Sequence, residues 1–208
     1  REVARMAQEH AEATADSSYL QRLQNNQTNR YRSVPARVVS SSLDRLNNFI
    51  TIDKGEADGV KKDMGVVCGT GIVGIVYLTS AHYSVVIPVL NSKSNISCSI
   101  RGRGYFGYLH WMGGVPDEAY LDDVPRHARF RIGDVIVTSG YSSVFPPGML
   151  VGKVMRVYNS ANGLSFRLRI KLTTDFGNLR DVCVITDAAV AERVKLLEAA
   201  NDSLRLRN

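Results

Sequence analysis

The chain has 208 residues, 44% of them apolar, with a formal net charge of +6. That composition supports a packed core and leaves room for one large domain or two small ones. It excludes a membrane span inside the chain, because no apolar run approaches the ~18–20 residues needed.

The positive charge admits nucleic acid, anionic lipid or an acidic protein as partner. Cys68, Cys98 and Cys183 lie in apolar or strand-like runs without a CxxC spacing. They therefore predict buried thiols rather than a disulfide framework or metal site. The chain starts at Arg1 with no Met and nothing resembling a signal peptide, and reads as a fragment.

Residues 1–33 predict a helix, rich in Ala, Glu, Gln and Arg and free of Gly and Pro. Met6, Ala13 and Leu20 recur at heptad spacing, but His10, Ser17 and Gln24 at the partner positions are polar. This is the frayed end of a coiled coil. Val34-Pro35 stops it, since the residue before Pro disfavours helical geometry.

From Ala36 to Ile185 short runs of Val, Ile, Tyr and Thr alternate with Gly, Asn, Asp and Ser turns, which predicts many short strands. Two phrases repeat. The first runs Asp53-Lys54-Gly55, Asp58-Gly59-Val60, Met64-Gly65-Val66-Val67 and Gly71-Ile72-Val73-Gly74. The second runs Gly133-Asp134, Thr138-Ser139-Gly140, Phe145-Pro146-Pro147-Gly148 and Val151-Gly152-Lys153. Both close on Val-Gly-x-Val, which predicts two related small barrels at 34–106 and 107–186, with the return of a terminal strand to the first barrel left open. Residues 113–131 read as a long connection or a strand pair with excursions. Residues 187–208 return to helix, with Val190, Val194, Leu197 and Leu204 near helical spacing.

Three chemical readings compete with a purely structural one. Gly69-Thr70-Gly71-Ile72-Val73-Gly74 matches GxGxxG, but Ile75-Val76-Tyr77-Leu78 continues as strand, and no acidic residue falls between Asp63 and Asp117. A dinucleotide site needs both the helix and the acid, so the glycines predict a tight hairpin. A chymotrypsin-like peptidase is suggested by the order His82, then Asp122, Asp123 or Asp134, then Ser139 or Ser142. The surround Thr138-Ser139-Gly140-Tyr141 lacks the Gly-Asp-Ser-Gly that builds an oxyanion hole in such enzymes. An oligonucleotide-binding barrel is suggested by Arg101 through Trp111, where aromatics interleave with arginines. Alternation there puts Tyr105, Gly107 and Leu109 on one face, which core packing explains. Arg167, Arg169 and Lys171 likewise predict the solvated face of a half-buried strand. No cofactor, metal or nucleic acid is expected.

The two long phrases resemble, in order, the two barrel signatures of the bacterial rod shape-determining MreC family. The residues carrying the resemblance are Asp53, Gly55, Gly59, Gly65, Gly71 and Gly74, then Gly133, Asp134, Thr138, Ser139, Gly140, Pro146, Gly148 and Gly152. The resemblance implies a mostly β fold of two six-stranded barrels, chymotrypsin-like in architecture but without a triad, behind a coiled-coil helix. It implies a non-enzymatic scaffold of the rod complex that self-associates and links MreB and MreD to RodA and a class B penicillin-binding transpeptidase. It further implies a periplasmic position, anchored in the inner membrane by a helix upstream of Arg1. The hairpin Gly69, Thr70 and Ile72 is the surface expected at the transpeptidase, and Tyr77, Tyr83, Tyr105 and Tyr141 are candidate anchors, most of them expected in the core.

Overall fold

The computed structural model describes residues 2–141 and 144–205. A helix, α1 (Glu2–Thr28), precedes twelve strands, and a second helix, α2 (Ala188–Arg205), follows them. The strands are β1 (Ser33–Ser41), β2 (Ile50–Ile52), β3 (Gly65–Cys68), β4 (Gly71–Thr79), β5 (Ser84–Pro88) and β6 (Ile96–Ile100), then β7 (Phe106–His110), β8 (Glu118–Pro125), β9 (Val135–Thr138), β10 (Leu150–Asn159), β11 (Ser165–Leu172) and β12 (Asp181–Ile185).

They close into two antiparallel barrels, in the orders β1-β12-β3-β4-β5-β2 and β10-β11-β8-β7-β6-β9. The second barrel is thus inserted whole into the first. Two strands sit elsewhere than expected: β6 belongs to the second barrel rather than to 34–106, and β12 to the first rather than to 107–186. The alternation of buried Val182 and Val184 with outward Asp181 and Cys183 fits either barrel. Its partners, Ala36 opposite Val182 and Val66 opposite Val184, are distant in sequence and leave no local trace. The stretch 113–131 supplies one strand, β8, between turns.

The barrels share one core. Phe145, buried in the loop before β10, lies against Gly65 of β3, where an added Cβ would come within 2.8 Å of its ring. Gly71 opens β4 at the same seam, where a Cβ would fall 2.7 Å from Thr173 Oγ1. Thr174 Oγ1 donates to the Ile72 carbonyl at 2.7 Å.

The end of α1 lies over this seam. Gln24 is fully buried; its amide donates to the Cys68 carbonyl at 3.2 Å, and its oxygen accepts the Leu150 amide at 2.8 Å. Leu20 packs on Val137 and Leu150 of the second barrel, whereas Met6, two heptads earlier, is 61% exposed. The heptad positions therefore divide: the last docks on its own chain, and the first is exposed.

Candidate interaction surface

The first phrase builds the ends and seam of its barrel. Asp53 accepts the Arg37 amide at 2.7 Å, tying the segment after β2 to β1. The Asp58 carboxylate accepts the Gly55 amide at 3.2 Å and lies 3.4 Å from Lys54 Nζ. The Gly55 amide, and then Lys54, hold its pKa below the ordinary carboxylate range. Gly59 ends the short turn Glu56–Asp58 with φ of 84°. Gly74 lies where β4 and β5 approach most closely, against the Ile87 carbonyl.

The second phrase does the same. Asp134 accepts the Arg131 amide at 2.9 Å beside Arg103 at 3.2 Å, closing the turn that contains Gly133. Thr138 Oγ1, buried, donates to the Pro146 carbonyl at 2.6 Å and accepts the Met149 amide at 2.9 Å. Gly140 faces Pro147, Gly148 lies under Gln27 of α1, and Gly152 lies against the Lys171 carbonyl. These residues take part in loop and strand contacts.

Among the described residues the enzymatic constellation does not assemble. Ser139 Oγ is 2.8 Å from Ser97 Oγ and accepts the Tyr141 amide, so its hydroxyl is engaged without an imidazole. His82 lies in the β4–β5 turn near Asp58. Asp122 forms a two-pronged pair with Arg167, at 2.5 and 3.1 Å. Ser142 lies outside the described residues. Among the described residues no cluster of three or more His, Cys, Asp or Glu is placed to hold a metal.

The basic stripe on β11 is neutralised across the sheet. Arg167 pairs with Asp122, Arg169 with Glu118, and Lys171 with Asp117, all from β8 or its approach. The sequence showed the cations, but their acidic partners lay in a stretch read as a connection. In the aromatic strand, Phe106 and Tyr108 face out and Gly107 and Leu109 in, as the alternation predicts. Arg101 is bonded to Tyr19 of α1 and Arg103 to Asp134, so neither arginine is left poised beside the aromatics.

The hairpin expected on the surface divides: Ile72 is buried in the core, whereas Gly69 is exposed beside α1, where an added Cβ would be 3.8 Å from Gln21 Nε2. Thr70 shares a groove with Ser17 and Gln21 of the same helix. The exposed apolar side chains lie elsewhere. On the first barrel Phe49 and Tyr77 stack with centroids 6.4 Å apart, and Val39, Leu78 and Tyr83 are also exposed. On the second, Phe106 meets Tyr141 at 5.0 Å, and Tyr141 is 73% exposed. Of the four candidate tyrosines only Tyr105 is half-buried, edge-on to His127. The signal missed was the bulge in β4 between Val76 and Leu78, which turns Tyr77 and Leu78 outward together.

Two closed six-stranded antiparallel barrels, one inserted in the other and each carrying exposed aromatic side chains, define the chain as a double-barrel β module. Residues 38–186 match the family described as rod shape-determining protein MreC, barrel core. The cell shape-determining protein MreC of Listeria monocytogenes is 32% identical over 77% of this chain and 56% of its own length. A solved MreC structure from the same organism superposes with a TM-score of 0.71 at 26% identity, covering 90% of this chain and 95% of that one. Two more distant structures share the fold. One is the major periplasmic domain of the cell shape-determining filament MreC (TM-score 0.66, 19% identity, 76% of this chain and 96% of that one). The other is MreC of Helicobacter pylori, solved in complex with the penicillin-binding protein PBP2 (TM-score 0.59, 17% identity, 75% and 99%). The chain belongs to the MreC family. It spans about half the length of the curated Listeria relative.

Proposed function

We propose that this chain is the extracytoplasmic core of a cell-elongation scaffold, which organises peptidoglycan synthesis by binding proteins rather than by chemistry. The observation that carries the reading is the stacked Phe49–Tyr77 pair on the outer wall of the first barrel, with Leu78 and Val39 exposed on the same barrel. Large exposed aromatics beside aliphatic neighbours mark a docking surface more often than a solvated one. The solved complex of the Helicobacter pylori relative with PBP2 supports a class B transpeptidase as the occupant. The filament named for another relative supports self-association. Met6, exposed on the outer part of α1, supports continuation of a coiled coil toward a membrane anchor upstream. MreD and RodA in the membrane, and MreB beneath it, are the further partners of this reading.

The test is capture of the transpeptidase on the immobilised chain. Phe49→Asp with Tyr77→Asp is expected to weaken capture roughly tenfold or more, because a central aromatic anchor is worth about 2 kcal/mol or more. Capture that survives the double substitution, in a protein with unchanged circular dichroism, overturns the assignment of this face.

A further inference from the structure

Strand β10 is longer than the partner along one of its edges. It pairs with β11 from Gly152 to Asn159, but with β9 only at Leu150, Gly152 and Lys153. Val154 then exchanges hydrogen bonds with Gly133 and Asp134, and the turn Arg131–Asp134 ends that side of the ladder. Beyond it, Met155–Asn159 makes no backbone hydrogen bond outside the β11 ladder among the described residues. The edge starts at a bulge between Val154 and Arg156 and then runs on without Pro or Gly, a template for pairing with another chain. Here Arg156, Val157, Tyr158 and Asn159 are exposed.

The unpaired charge around this edge is positive, since the Asp134 carboxylate in the turn is engaged by Arg103 and the Arg131 amide. Arg156 is on the strand itself. Arg126 reaches Asn159 Oδ1, with its guanidinium over the Phe166 ring at 4.9 Å. Between Arg126 and the Gly133 turn, Ala128 and Phe130 pack toward the core, and Arg129 and Arg131 are exposed. None of these four arginines has a carboxylate partner among the described residues, whereas Arg167, Arg169 and Lys171 on the adjoining strand are each paired.

We infer that the open edge of β10 is a docking site for an extended, acidic segment of a partner protein, added as a further strand beside Met155–Asn159. Backbone pairing supplies the register, and carboxylates on the incoming strand meet the arginines. This surface lies on the second barrel and calls for different chemistry from the aromatic wall of the first, so it stands apart from the transpeptidase assignment.

The test uses the whole chain and a fluorescent peptide of alternating Glu and Val, with binding read by anisotropy. Two controls accompany it: the Lys-for-Glu peptide, and the Glu peptide N-methylated along its pairing edge. The Glu peptide is expected to bind and the Lys peptide not to. Arg131→Glu with Arg156→Glu is expected to weaken binding about tenfold or more, as for a pair of opposed charges brought to contact. N-methylation is expected to abolish it, without any change to the protein. Equal binding of the methylated peptide means charge attraction without strand addition and overturns the proposal, as does no binding of the Glu peptide. A dimer in sedimentation that Arg156→Glu dissociates assigns the edge to a second copy and overturns it too.

Discussion

The side-chain oxygen of Gln24 accepts the Leu150 amide at 2.8 Å, while its amide holds the Cys68 carbonyl. One carboxamide thereby joins a helix and both barrels. Gln24→Ala leaves two backbone groups buried without partners, each costing about 1–3 kcal/mol. The urea midpoint is expected to fall with an unchanged slope. A loss under about 0.5 kcal/mol, typical of an ordinary surface position, contradicts the bridge.

Gly65 and Phe145 form the hydrophobic half of the same junction. Gly65→Ala drives a methyl into the ring edge and is expected to cost about 1–3 kcal/mol by overpacking. Phe145→Leu, made in the Gly65→Ala background, is expected to recover part of that loss. A double-mutant cycle reads the coupling, and strict additivity would mean the two residues do not share the space.

Asp58 titrates below its unfolded value because the Gly55 amide and Lys54 favour its charge. A depressed pKa contributes stability above the unfolded carboxylate value of about 3.9 and loses it as pH falls through the folded one. The melting temperature of wild type relative to Asp58→Asn is therefore expected to be higher at pH 6 and to converge with it below about pH 4. A difference that grows as pH falls from 6 toward 3 refutes the assignment.

Burial alone pushes the Cys98 thiol well above its ordinary range, and Cys183, half-buried, is raised mainly for the same reason. The thiolate is the reacting form. Native iodoacetamide labelling followed by mass spectrometry is expected to modify Cys183 first and Cys98 only on unfolding. Early modification of Cys98 would place it outside the core.

Ser139 is expected to resist a fluorophosphonate probe, since its hydroxyl is engaged by Ser97 and by the Tyr141 amide. Labelling at Ser139 would revive the peptidase reading.

Much of the fold was legible because its signals are local. The alternation that buries Leu168, Ile170 and Leu172 on β11, and Val182 and Val184 on β12, has a period of two. The glycine phrases mark turns and close approaches wherever in the chain they fall. What was not legible depended on distant partners. Strand β8 and its approach carry Asp122, Glu118 and Asp117, and this acidic face gains meaning only beside β11. Ile72 looked like hairpin surface because nothing in its neighbourhood reveals that Thr174 closes over it. Gln24 looked like a flaw in a heptad seam, and its polarity is what the barrel junction requires.

Because β12 returns to β1 and β3, the first barrel has its opening and closing staves at opposite ends of the sequence. During synthesis the ribosome releases β1 to β5 long before the stave that seals them. That half-made barrel must wait, with one unpaired gap, while the inserted barrel is translated and folds. A chain cut after residue 106 therefore yields neither unit intact, since it lacks β12 of the first barrel and all but β6 of the second.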